Sequence, residues 1–147
     1  NCFERGVVMS ITRFGSKELE RALNKWSDKI EKEVKRIIHE TALLIQSEAR
    51  ALAPVDSGYL RHSITIDLSG DGLTALISVG SEYGIYIEYG TGIYAVKGNG
   101  RKDGWVYYNE KYGEFVFTHG MKAQPFWFPA IEVGKTYYEK EMKKLGR

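Results

Sequence analysis

Between Ser16 and Ala53 the apolar residues Leu19, Leu23, Trp26, Ile30, Val34, Ile37, Leu44 and Leu52 recur at steps of three and four over most of the run. That spacing lays them along one stripe of a helix, so the pattern predicts a single long amphipathic helix. Ser16 suits its N-cap, with Glu18 and Glu20 in the first turn. Pro54 ends it, because the proline ring disfavours the α conformation at the residue before it. At about 1.5 Å per residue the rod is roughly 55 Å long, more than a domain of this size can cover. Part of the stripe is therefore expected to meet a sheet laid along it or another subunit.

Beyond Pro54 the period changes. The turn Ala53-Pro54-Val55-Asp56-Ser57-Gly58 offers Asp56 or Ser57 as a cap for a short helical segment from Gly58 to Ser63. Ile64, Ile66 and Leu68 then alternate with Thr65 and Asp67, and a second alternating run from Ala75 to Gly80 follows the turn Ser69-Gly70-Asp71-Gly72, which together read as a β-hairpin. Tyr83 to Gly90 fits a helix through Tyr83, Tyr86, Ile87 and Gly90, and a strand through Ile85, Ile87 and Tyr89; a short helix is the reading adopted. Five glycines between Gly90 and Gly104, with Lys97, Arg101 and Lys102 among them, predict a mobile loop. Trp105–Tyr108 and Phe115–Phe117 read as a second hairpin. Pro125 suits the first position of a C-terminal helix marked by Ile131, Tyr137, Tyr138, Met142 and Leu145, with Pro129 delaying or kinking its start. The fold class expected is α+β, a long N-terminal helix packed on a small antiparallel sheet of about four strands, with a short middle helix and a C-terminal helix. Residues 1–15 are expected to be a flexible N-terminal extension and residues 16–147 a single domain.

Composition narrows the classes. A chain of 147 residues with 43% hydrophobic and 27% charged residues has the profile of one soluble domain. A net charge of +2 is too mild to argue for nucleic-acid binding by itself. The single cysteine, Cys2, supports neither an internal disulfide nor a thiolate metal site, which fits a reducing compartment. No stretch of about 20 apolar residues occurs, and Asn1 to Val8 lack the apolar run of a signal peptide, so no membrane association and synthesis in the cytoplasm are expected. Met9-Ser10 suits a translation start, with residues 1–8 upstream of it.

Candidate chemistry is sparse. His39, His62 and His119 are widely spaced, and His39-Glu40 lacks the second histidine one turn later that a zinc helix requires. There is no G-x-S-x-G elbow and no phosphate-binding loop, so neither a cofactor nor a metal is expected. Glu88, a carboxylate among tyrosines, suits either a local cap or pair, or a general acid working with His119 in a hydrolase. Lys97, Arg101 and Lys102 between Tyr94 and Trp105 mix cations and rings as single-strand-binding surfaces do, and as a solvated loop does. The 10 tyrosines and 3 tryptophans weigh more, because such side chains are enriched where a surface is wet in the monomer and buried in an assembly.

Three segments resemble the tail-completion or neck proteins of long-tailed bacteriophages and prophages, the family that includes the Z-type minor tail protein of phage lambda. Ala53-Pro54-Val55-Asp56-Ser57-Gly58-Tyr59-Leu60-Arg61-His62-Ser63-Ile64 is similar to the family's A-P-V-D-[ST]-G-x-L-R-x-S-I after a long helix. Val79 to Thr91, with Tyr83, Tyr86, Glu88, Tyr89, Gly90 and Thr91, is similar to V-G-x-x-x-Y-A-x-Y-V-E-[FY]-G-T, with Gly84 and Ile87 in place of the usual Ala and Val. Gly120 to Ala130, with Ala123, Pro125, Phe126 and Pro129, is similar to G-x-x-A-x-P-F-[LM]-x-P-A, with Trp127 and Phe128 departing from the usual Leu and Arg.

The resemblance implies a structural virion protein at the head-tail junction, made in the bacterial host, with no enzymatic activity and no cofactor. Its implied partners are copies of itself in a ring, six-fold to match a tail tube, and other neck and tail proteins, with weak DNA contact in the channel. Pro54, Asp56, Ser57, Gly58, Leu60, Arg61, Ser63, Gly90, Thr91, Ala123, Pro125, Phe126 and Pro129 carry the motifs and are expected to hold the fold, Asp56 with Arg61 fixing the turn. Trp26, Tyr83, Tyr86, Glu88, Tyr89, Lys97, Arg101 and Lys102 are expected nearer to partners. The alternative from another class is a nucleic-acid-binding module using the basic glycine-rich loop 91–104.

Overall fold

The long helical pattern resolves into α1 (Lys17–Leu23) and α2 (Asp28–Leu52). The computed structural model describes residues 11–23, 28–55 and 58–146, so residues 1–8, Trp26, Asp56, Ser57 and any continuity of the rod through 24–27 lie outside the described residues. Ser16 caps α1 as expected, its Oγ accepting the Leu19 N–H at 3.1 Å. Within α2 the buried stripe is Val34, Ile37, Ile38, Thr41, Ala42, Ile45 and Ala49. It differs from the expected line through Leu44 and Leu52, of which Leu52 is exposed. The two alanines lie on the packed side, where their small side chains let neighbouring backbone come close.

α2 packs on a three-stranded antiparallel sheet in the order β1 (Ile11–Phe14), β3 (Ala75–Val79), β2 (Ile64–Leu68). β2 and β3 are the expected hairpin, in register Ile64↔Val79 to Leu68↔Ala75, and Ala75, Ile77 and Val79 are fully buried on one face. Within residues 1–15, Ile11–Phe14 pairs along the second edge of β3 from Ile11↔Ser78 to Phe14↔Ala75. The second hairpin, β4 (Trp105–Asn109) with β5 (Glu114–Thr118), forms its own two-stranded sheet. The α+β class and the order of elements stand as read, with the strands divided between two sheets.

The corner between α2 and β2 is held by exchanged arginines. Arg61, in the short helix α3 (Tyr59–His62), donates from Nε and Nη2 to the Ala53 carbonyl just past α2, at 3.2 and 3.1 Å. Arg50, in the last turn of α2, donates in return to the carbonyls of Arg61 and Ile64 at 3.0 and 2.9 Å. Gly58 occupies the N-cap of α3 with φ 71°, a left-handed conformation that glycine adopts without steric cost. Ser63 Oγ closes the turn on the Leu60 carbonyl at 2.7 Å, and Leu60 itself is buried in the core. Arg61 thus fixes the turn through backbone.

The C-terminal helix α5 (Trp127–Leu145) packs along α2. Their approach is close at Gly134, where an added Cβ would stand 2.2 Å from Ile45 Cγ1. Across the outer side of this seam Tyr137 donates its hydroxyl to the Glu40 carboxylate, and Arg36 joins Glu40 at 2.7 Å to Glu33 at 3.0 Å and reaches Glu141 at 3.8 Å. The Tyr137 hydroxyl and then Arg36 hold the Glu40 carboxyl below the ordinary carboxylate range, while Glu40 raises the Tyr137 phenol. A carboxyl with a depressed folded pKa contributes stability above its unfolded pKa and loses it as pH falls through the folded value. A phenol with a raised pKa loses its contribution only as pH rises through the folded value. These groups face solvent, so the effect is small. Tyr137→Phe should lower the melting temperature at pH 7 by about 1–3 °C, and the gap should close as the pH falls below the ordinary carboxylate range when followed by circular dichroism.

Candidate functional site

The centre of the motif region is a carboxylate set against a helix end. Glu88, in α4 (Gly84–Tyr89), is 4% exposed. Its Oε2 accepts the N–H groups of Phe126 and Trp127 at 2.8 and 3.0 Å, and Oε1 accepts that of Phe128 at 3.3 Å. Phe126 is the N-cap of α5 and Trp127 its first residue, so Pro125 lies outside the helix and Pro129 falls in its first turn. A helix begins with four N–H groups that have no partner within it. Here Glu88 takes three, and the fourth position is Pro129, which has no N–H. A charge-assisted cap of this kind is also favoured by the helix dipole.

A backbone ladder extends the join. The N–H of Gln124 meets the Ile87 carbonyl at 2.7 Å, that of Thr91 the Met121 carbonyl at 2.9 Å, and that of Ile93 the His119 carbonyl at 3.1 Å. Thr91 Oγ1 accepts the Met121 N–H at 2.9 Å. The strands of this ladder touch so closely that a Cβ at Gly92, φ 62°, would stand 1.9 Å from the His119 oxygen. The second and third motif segments therefore form one unit, and the opening of the glycine-rich loop, expected to be mobile throughout, is tied down through Val96, whose N–H reaches the Tyr89 carbonyl at 2.9 Å.

Outside this knot stands an open apolar surface. β4 and β5 make their extensive contacts with each other alone. On one face Val106 and Tyr108 lie opposite Phe117 and Phe115, and the four are 59%, 53%, 59% and 75% exposed. The Tyr108 and Phe115 rings meet edge to face at 5.2 Å, and Phe117 meets His119 at 4.9 Å. These four residues were absent from the expected contact set, although the matched alternation of Val106-Tyr108 with Phe115-Phe117 is visible in the sequence. Of that set, Tyr86 is exposed, Tyr83 lies 6.1 Å from the Tyr59 ring, and Tyr89 sits between Phe128 at 6.1 Å and Lys97 at 4.4 Å. Arg101 stands 6.0 Å from the Trp105 ring, and Lys102 Nζ donates to the Gly98 carbonyl at 3.4 Å. Glu88, expected either as a local cap or nearer to partners, is in this chain a buried anchor whose described partners are backbone N–H groups of its own chain.

The described residues hold no cluster of three His, Cys, Asp or Glu side chains that could bind a metal ion, and no helix long and apolar enough to cross a membrane. The Glu88 oxygens face α5, and His119 lies on Phe117, so the pairing considered for hydrolysis is not formed. Glu88→Ala should leave two buried and one part-buried N–H group unpaired and cost about 2–4 kcal/mol in urea denaturation. Glu88→Gln, which retains one acceptor oxygen, should cost about half as much. A wild-type midpoint for the alanine variant would show that the cap contributes nothing.

The family model described as "Bacteriophage HK97-gp10, putative tail-component" matches residues 17–90, just over half of the chain. No curated protein and no solved structure matches it. The matched span runs from α1 through the arginine corner to the end of α4, and so includes Glu88 and most of the first two motif segments. The narrower likeness to the lambda Z-type protein is not part of this match. On that span, which carries the long helix and the corner built on it, the chain belongs to the HK97-gp10-like family of phage tail components.

Proposed function

We propose that this chain is a structural subunit that forms a closed ring at the neck, completing the tail and joining it to the head. The observation that supports the reading is the apolar face on β4–β5, left open to solvent on a hairpin that the core does not cover. A two-stranded hairpin alone is marginally stable in water, and exposed apolar patches mark contact sites. Membership of a tail-component family directs that contact toward other copies and neighbouring neck or tail proteins. An open apolar face suits assembly, since a head-to-tail contact repeated by rotation must either close into a ring or polymerise, and a tail component of fixed copy number calls for closure. Tyr86 and the cations Lys97, Arg101 and Lys102 are each exposed, where such neighbours could reach them.

In lysates lacking this gene product, negative-stain electron microscopy should show filled heads beside separate or defective tails, with joining restored by the intact chain. Normal yields of infectious virions without it would refute a completion role.

A further inference from the structure

We infer that the open face of the β4–β5 hairpin docks on the corner at the C-terminal end of α2 in a second copy of this chain. The inference rests on the ring reading above and names the two surfaces that its repeated contact joins.

The hairpin supplies one surface, Val106 and Tyr108 with Phe115 and Phe117, all more than half exposed. The corner supplies the other. Leu52, Val55, Tyr59, Tyr83 and Tyr86 are all exposed large apolar residues from the end of α2, the turn after it, α3, and the start of α4. The Tyr59 and Tyr83 rings lie 6.1 Å apart, and Tyr86 follows Tyr83 by one helical turn. Arg61 clamps the Ala53 carbonyl while Arg50 clamps those of Arg61 and Ile64, which ties the end of α2 to α3 and β2.

Area and symmetry choose the occupant. An aromatic side chain buries about 150–250 Å² in full, so half-exposed sets of four and five offer roughly 400–500 Å² each. Joined, they approach the lower limit of about 1,200 Å² for a specific interface before backbone and rim atoms are counted. A two-fold contact of hairpin on hairpin would leave the corner open, and one of corner on corner would leave the hairpin open. A head-to-tail contact covers both with a single repeated interface, each copy giving its hairpin to one neighbour and its corner to the other. Apolar surface on each partner makes the two chemically alike, which suits a contact driven by burial.

The test uses two variants of the whole chain, Phe115→Glu on the hairpin and Val55→Lys on the corner. These side chains are 75% and 64% exposed, so both variants should keep the wild-type circular dichroism. In sedimentation velocity the wild type should associate beyond a dimer at high concentration, and each variant alone should associate at least about tenfold more weakly and run as monomer. An equimolar mixture should form a one-to-one pair and nothing larger, because only the Val55→Lys hairpin and the Phe115→Glu corner remain able to meet. A Val55→Lys variant that assembles like wild type, or a mixture that stays monomeric, would overturn the docking while leaving the ring reading in place. A monomeric wild type, alone and with neighbouring neck proteins, would overturn both.

Discussion

A carboxylate placed against a helix N-terminus from 38 residues earlier in the chain decides how the two halves of this protein meet. Burying a charge is costly unless it is hydrogen-bonded on most sides, and Glu88 meets that condition with three backbone N–H donors. The same contact sets where α5 begins. Phe126 and Trp127, fully buried, can then fill the core beside α2. Farther along, Gly134 lets α5 lie close on Ile45. Without the cap the helix would have no fixed origin, and the ladder from Ile87 to Ile93 would lose the chain it pairs with.

Much of the architecture was legible from periodicity. α2, the β2–β3 hairpin, α4, β4–β5 and α5 each follow a run whose spacing matches helix or strand, and Ser16 sits where capping chemistry placed a boundary. What was not legible depends on contacts distant in sequence. Alternation shows that a strand has two kinds of face, but it does not say which strands share a sheet, so two sheets read as one. β1 joins through its backbone along the edge of β3, a partnership that leaves little mark in a short run. The start of α5 was placed too early because its cap comes from Glu88 and no Ser, Thr, Asp or Asn stands at the N-cap itself.

The site was legible in kind more than in place. A tyrosine-rich composition pointed to contact, yet part of that aromatic set is used internally, with Tyr89 between Phe128 and Lys97. The most exposed rings belong to β4–β5, where the sequence shows alternation but cannot show that no layer covers the face. Glu88, a carboxylate in an apolar setting, suited a local cap or pair as well as a place near partners, and the sequence did not show that the group it caps lies 38 residues on. Its burial comes from α5, which no local pattern announces.

The ladder and the cap close residues 93–119 into a loop tied at its base, with the second hairpin at its far end. For such a closed excursion, doubling the length costs only about 0.6 kcal/mol of loop entropy. The arm can therefore lengthen, shorten or change its side chains while the scaffold from α1 to α4 and α5 keeps its packing. The exposed face of this hairpin and the packing of the core are therefore physically separable, so the hairpin's side chains can change without disturbing the fold.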